Sequence, residues 1–210
     1  MSSEKIRRGG RPVDPAKREA IVAAACHAFF AHGFAGASIE QIAADAGVSK
    51  VTVYSHFGDK RGLFSAAVDA ECQRMGDHFT LGHLPHGSLR DKLTAIGEAM
   101  VVFLSRPEMV QFERRIAAET EAEPEIGAAF LEAGPYSMIR AFSGFLDAMV
   151  AAGEVDISDT KLAAEQFASL CKGLGDLERR FGKPNDLPRN KERIAGAVEV
   201  FCRAYGSAGS

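Results

Sequence analysis

The 210-residue chain has no tryptophan, only four cysteines and no long apolar run. The longest such run, Ile21 to Ala31, includes His27 and is far short of the roughly 20 residues that a bilayer-spanning helix needs. Cys26, Cys72, Cys171 and Cys202 show neither CxxC nor framework spacing, which excludes a thiolate zinc ribbon and a disulfide-stapled scaffold. No stretch alternates Val, Ile and Thr with polar residues, as half-buried strands require. The basic N-terminal stretch has no apolar segment behind it, so no secretory signal is expected. GxSxG, HExxH, P-loop and strand-linked GxGxxG patterns are all missing, and with them the sequence support for the chemistries they carry. These absences point to a cytoplasmic, non-enzymatic protein without membrane contact, cofactor or metal, whose isolated thiols act as small hydrophobes.

What is present is an ordinary globular composition, 46% apolar and 25% charged, ample for a hydrophobic core. The net charge of −3 argues against a nucleic-acid partner until it is resolved by position. Residues 1–61 carry nine basic and six acidic side chains, whereas residues 62–210 carry sixteen and twenty-two. A basic head thus precedes an acidic body, and we place the domain boundary between them: 1–61 and 62–210.

Nearly every long segment has helical periodicity, so an all-α fold of about nine helices is expected. Asp14-Pro15 starts the first helix, which stops at Gly33. Ser38 and Gln41 have capping-box spacing for a second. Ser49 opens a third, and Asp59 a fourth that runs to Phe79. Ser88 and Pro107 start the next two. A segment from Ile126 to Val150 is interrupted at Gly134-Pro135 by a kink or a break. Ser158 or Asp159 starts another helix, and a loop at 182–190 precedes the last.

The second and third helices, separated by Ala46-Gly47-Val48, have helix-turn-helix spacing. The third offers Ser49, Lys50, Thr52, Val53, Tyr54 and His56, with little bulk beyond Tyr54 and His56, as entry into a major groove requires. No acidic residue lies between Gly47 and Gly58, and Lys60 is placed to meet a phosphate. Arg7, Arg8 and Arg11 form an arm suited to a minor groove.

The string GFAGASIEQIAADAGVSKVTVYSHFGDKRGLF, Gly33 to Phe64, resembles the helix-turn-helix of the tetracycline-repressor (TetR) family of bacterial transcription regulators. Arg106 to Gly173 more loosely resembles the C-terminal region of its AefR-like subgroup. The resemblance implies base-edge and sugar-phosphate contacts for Lys50, Val51, Thr52, Tyr54 and His56, phosphate contacts for Ser38 and Lys60, and a homodimer on a palindromic double-stranded operator. It also implies a body that binds a small effector, most simply as a repressor released by that effector.

In the body, Met75, Phe79, Met100, Phe103, Phe112, Ile116, Phe130, Met138, Phe142, Phe145 and Phe167 could line an apolar cavity or simply fill a core. Arg115, Gln111 and Tyr136 are its candidate polar anchors. Ile194, Ala197, Val198, Phe201, Cys202 and Tyr205, with Ala163, Phe167, Leu170 and Leu174, suit a four-helix dimer interface; the alternative is that both stripes face inward within one chain. Two heads on such a dimer would stand roughly 34–36 Å apart, one turn of DNA. Glu113, Glu119, Glu121, Glu123 and Glu125 read as a solvated acidic face. Asp77, His78, His83 and His86 leave open a metal-dependent helical enzyme, and a ligand carrier with a non-functional head is the other alternative.

Overall fold

The computed structural model describes residues 14–76 and 87–206, the side chains of Met75 and Gly76 excepted. Arg7, Arg8, Arg11, Phe79, the Asp77–His86 cluster and the side chain of Met75 therefore lie outside the described residues. Within them the chain forms ten helices: α1 (Pro15–Gly36), α2 (Ile39–Asp45), α3 (Lys50–Phe57), α4 (Lys60–Gly76), α5 (Leu89–Leu104), α6 (Pro107–Ala122), α7 (Pro124–Ala133), α8 (Pro135–Ala151), α9 (Thr160–Arg180) and α10 (Leu187–Tyr205). The interruption at Gly134-Pro135 is a full break, which divides 124–151 into two helices. None is long and apolar enough to cross a membrane.

Side-chain caps fix most of the starts. Asp14, Ser38, Ser49, Ser88, Asp159 and Asp186 each accept from a backbone N–H of the first turn, satisfying donors that have no partner within the helix. Ser88 and Asp91 complete a reciprocal capping box. The last helix begins inside the expected 182–190 loop, because Asp186 caps it and Pro188 fits its first turn.

The buried side chains form two clusters that do not divide at 61/62. Ile21, Phe29, Ile42, Val53, Leu63 and Phe64 of the first four helices pack with Met109, Phe112 and Ile116 of α6 and Ile126 of α7. Leu93, Ile96, Phe142, Leu146, Phe167, Ile194, Val198 and Phe201 of α5, α8, α9 and α10 form the other. There α5 lies so near its neighbours that a Cβ on Gly97 would stand 3.0 Å from Ile194 Cγ2 and 3.2 Å from Cys171 Sγ.

The second cluster corrects the interface expected at the C-terminal helices. Ala163, Ile194, Ala197, Val198 and Phe201 are buried within one chain, because α5 and α8 already cover those faces of α9 and α10. Tyr205 is half-buried, with its hydroxyl 2.6 Å from Gln166 Oε1. Only Leu170 and Leu174 of the expected set face outward, joined by Leu162, Leu177, Phe181, Leu187 and Val200.

Candidate DNA-reading head and ligand cavity

Gly47, at φ +66°, makes the turn between α2 and α3, and Val48 N–H donates to Ala43 O at 2.9 Å. Val53 is wholly buried and anchors α3 on the core, so its opposite side faces solvent: Val51 is 76% exposed, and Lys50, Tyr54 and Ser55 are exposed with it. Thr52 and His56 are half-buried at its margins. The Nδ1 of His56 is buried with no hydrogen-bond partner among the described residues.

Several predicted DNA-contact residues are engaged elsewhere. Ser38 Oγ accepts from Gln41 N and donates to Glu40 Oε2 at 3.1 Å. Ser49 Oγ accepts from Thr52 N at 3.1 Å and stands 2.9 Å from Thr52 Oγ1. Lys50 Nζ is ion-paired to the Glu40 carboxylate and lies 5.8 Å from the Tyr54 ring centroid. The Lys50 hydrogen bond is the main reason that the Glu40 carboxyl is lowered to about 2. Glu40 comes from α2, so the acid-free stretch from Gly47 to Gly58 gave no sign of it. Lys60 turns inward: its Nζ donates to Ala35 O at 3.2 Å and lies 4.9 Å from the Phe34 ring centroid. Desolvation there lowers its pKa, so meeting a phosphate requires it to leave this seat.

The body encloses a cavity of about 360 Å³, bounded chiefly by α4 to α9 and reached by Phe30 of α1. Met100, Phe103, Phe112, Phe130 and Met138 line it. Phe30 stacks on Phe112 at 4.2 Å, and Phe130 meets Phe112 edge-on at 5.8 Å, so the wall is itself a packed aromatic cluster. One end is charged. Glu113 Oε2 lies 3.1 Å and Asp176 Oδ2 3.2 Å from Arg180 Nη2, and Lys172 lies beside them. Burial raises the Glu113 carboxyl above its ordinary pKa, against the opposing pull of Arg180.

The other expected cavity residues lie elsewhere. Arg115 donates through Nη1 to Phe30 O at 2.8 Å. Ile116, one turn beyond Phe112 on α6, is buried in the head-side cluster. Phe142, Phe145 and Phe167 pack in the other cluster, and Gln111 and Tyr136 face solvent. The polar lining is instead Glu71, Glu113, Lys172, Asp176 and Arg180. Glu113 was legible in part, since it stands at i+4 from Met109 on an apolar helix face. It is thus no solvated acid, and neither is Glu119, which accepts backbone hydrogen bonds from α1. Among the described residues no three His, Cys, Asp or Glu side chains group as metal ligands.

Residues 21–67 match the tetR family of bacterial regulatory proteins, and residues 91–207 match the C-terminal domain of AefR-like transcriptional repressors. The chain is similar to the HTH-type transcriptional repressor AcnR of Corynebacterium efficiens, 24% identical over 124 residues, or 59% of this chain and 60% of the relative. It matches AcnR of Corynebacterium glutamicum at 32% over 69 residues, or 33% and 36% of the two chains. The match thus spans less than two thirds of the first curated relative and about a third of the second. Among solved structures, a TetR-family transcriptional regulator of Mesorhizobium loti superposes with a TM-score of 0.75 at 26% identity, covering 94% of this chain and all of the other. The flavonoid-responsive regulator FrrA gives 0.70 at 28%, covering 93% and 100%.

Proposed function

The chain belongs to the TetR family of bacterial regulatory proteins, and on that premise we propose that it is a homodimeric transcriptional repressor released from its operator by a small effector. The observation that carries this reading is α3, a short helix that buries only Val53 and projects Lys50, Val51 and Tyr54 from its other side. That helix is slender enough for a major groove. Val51 would meet thymine methyls and Tyr54 the sugar-phosphate backbone. Lys50 would exchange the Glu40 carboxylate for a phosphate.

The second half of the reading rests on the cavity. Its aromatic and methionine lining suits an apolar, ring-bearing effector oriented by its charged end. The name of the flavonoid-responsive relative agrees with a ring-bearing guest. The exposed apolar side chains of α9 and α10, Leu170, Leu174 and Leu177 among them, suit an isologous, two-fold interface. Effector and operator would then be linked through the separation of the two heads. Such couplings are typically about 1–3 kcal/mol, a change of roughly 5- to 150-fold in affinity.

Selection of bound fragments from a pool of random duplexes tests the proposal. An inverted repeat with half-sites about one helical turn apart is expected. Recovery of no common sequence, or of one indifferent to Tyr54→Ala, would overturn it.

A further inference from the structure

The first helix has a break near its end. Gly33 takes φ +75° and ψ −175°, and helical structure resumes through Gly36. A break of this kind creates a second helix start, whose first N–H groups lack intrahelical acceptors. Here the N–H groups of Phe34 and Ala35 both donate to Oε2 of Glu119, at 3.0 and 3.3 Å, from the far end of α6. On the other side of the break, Arg115 donates to Phe30 O at 2.8 Å. Arg115 and Glu119 are one turn apart on α6, so a single helix serves both the acceptor before the break and the donors after it.

The fit is close. A Cβ on Gly33 would lie 2.3 Å from Glu119 Oε1 and 3.5 Å from Arg115 Cβ. The first residue of α4 closes the arrangement, because Lys60 donates to Ala35 O at 3.2 Å. Ala37 and Ser38 follow at once and lead into α2 and α3. The joint that Glu119 holds is therefore where α1 passes into the helix-turn-helix of α2 and α3. The same α6 carries Met109, Phe112 and Glu113 into the cavity wall.

We propose that Glu119 is a positioning residue: its carboxylate clamps the break in α1 and so sets the angle of each reading head, and the separation of the two heads, from the helix that lines the cavity. This rests on the reading of the chain as a two-headed DNA-binding dimer. A guest that shifts α6 would have to strain or release the clamp.

The test compares two duplexes with full-length protein: the inverted repeat selected by the wild-type chain, and the same duplex with one half-site scrambled. Glu119→Ala is expected to weaken binding to the full repeat by about ten- to hundredfold, the usual span of inter-site coupling. Binding to the single half-site, which one head can make at any angle, is expected to stay unchanged. Glu119→Gln keeps an acceptor of the same reach and is expected to restore the full repeat to within about threefold of wild type. Glu119→Asp keeps the charge but falls short, and is expected to behave like alanine; it serves if the alanine variant does not fold. Equal loss on both duplexes would mean that Glu119 only supports the head's fold, and unchanged binding to the full repeat would mean that it positions nothing. Either result overturns the proposal while leaving the operator reading intact. Failure of the wild-type chain to bind any duplex overturns both.

Discussion

Leu174→Lys is expected to separate the proposed dimer without unfolding the chain. Leu174 is 67% exposed in the single chain, and Leu170 and Leu177 of α9 and Phe181 at its C-cap are exposed with it. Full burial of a leucine stabilises by about 1.5–3 kcal/mol; the two thirds still in water represent about 1–2 kcal/mol per copy. A two-fold interface contains the residue twice, so its loss costs about 2–4 kcal/mol. At about 1.4 kcal/mol per tenfold, the dimer constant weakens by roughly 1.5 to 3 decades. The penalty of placing two ammonium groups at the interface adds to this. Sedimentation velocity over a dilution series reads the constant, and far-UV circular dichroism with a thermal melt reports the fold. Val102→Lys, at an exposed apolar residue of α5, controls for surface charge and is expected to leave the dimer unchanged. A Leu174→Lys protein with the wild-type dimer constant would refute the assignment of this face.

Three further outcomes follow from the same structure. Glu40→Gln frees Lys50 and removes a carboxylate whose pKa is lowered to about 2; binding to every duplex is expected to tighten and its salt slope to steepen by about one, and an unaltered slope would contradict the competition. Gly97→Ala gains up to about 1 kcal/mol in helix propensity but drives a methyl into Ile194 and Cys171, where overpacking costs about 1–3 kcal/mol; urea titration is expected to show net destabilisation, and a stabilised variant would refute the close approach. Burial raises the Glu113 carboxyl in the folded chain, so the native state holds that proton more tightly than the unfolded state does. Its contribution is fully present below the unfolded pKa and is lost as pH rises through the raised value. Glu113→Gln has no such loss, and its stability relative to wild type is expected to climb as pH rises above the ordinary glutamate range; a difference that stays flat with pH would refute it.

The legible features were those set by local chemistry. Asp14-Pro15, Ser38, Ser49 and Ser88 announced helix starts, because a capping oxygen acts within its own first turn. The outward aspect of Tyr54 was legible, but Val53, expected beside it on the reading surface, is wholly buried because it faces the core that the flanking helices build. Relations between helices distant in sequence were not legible. An apolar stripe on α10 looks the same whether a second copy or α5 covers it, and here α5 does. Glu113 and Glu119 read as solvated because their partners, Arg180 and the Phe34 and Ala35 amides, lie about 65 and 85 residues away. Lys60 looked free for phosphate because nothing local marks Ala35 O as its acceptor.

The shared cluster of α1 to α4 with Met109, Phe112, Ile116 and Ile126 bears on how such regulators can be recombined. A head grafted onto another body would bring half of a jigsaw whose other half stayed behind. Chimeras that retain a donor's first four helices must also transplant those four side chains, together with Arg115 and Glu119. Otherwise the hybrid exposes a wet apolar scar and loses the register of its heads. The portable unit in this fold is therefore discontinuous in sequence, and a fusion boundary drawn after the helix-turn-helix cuts through it.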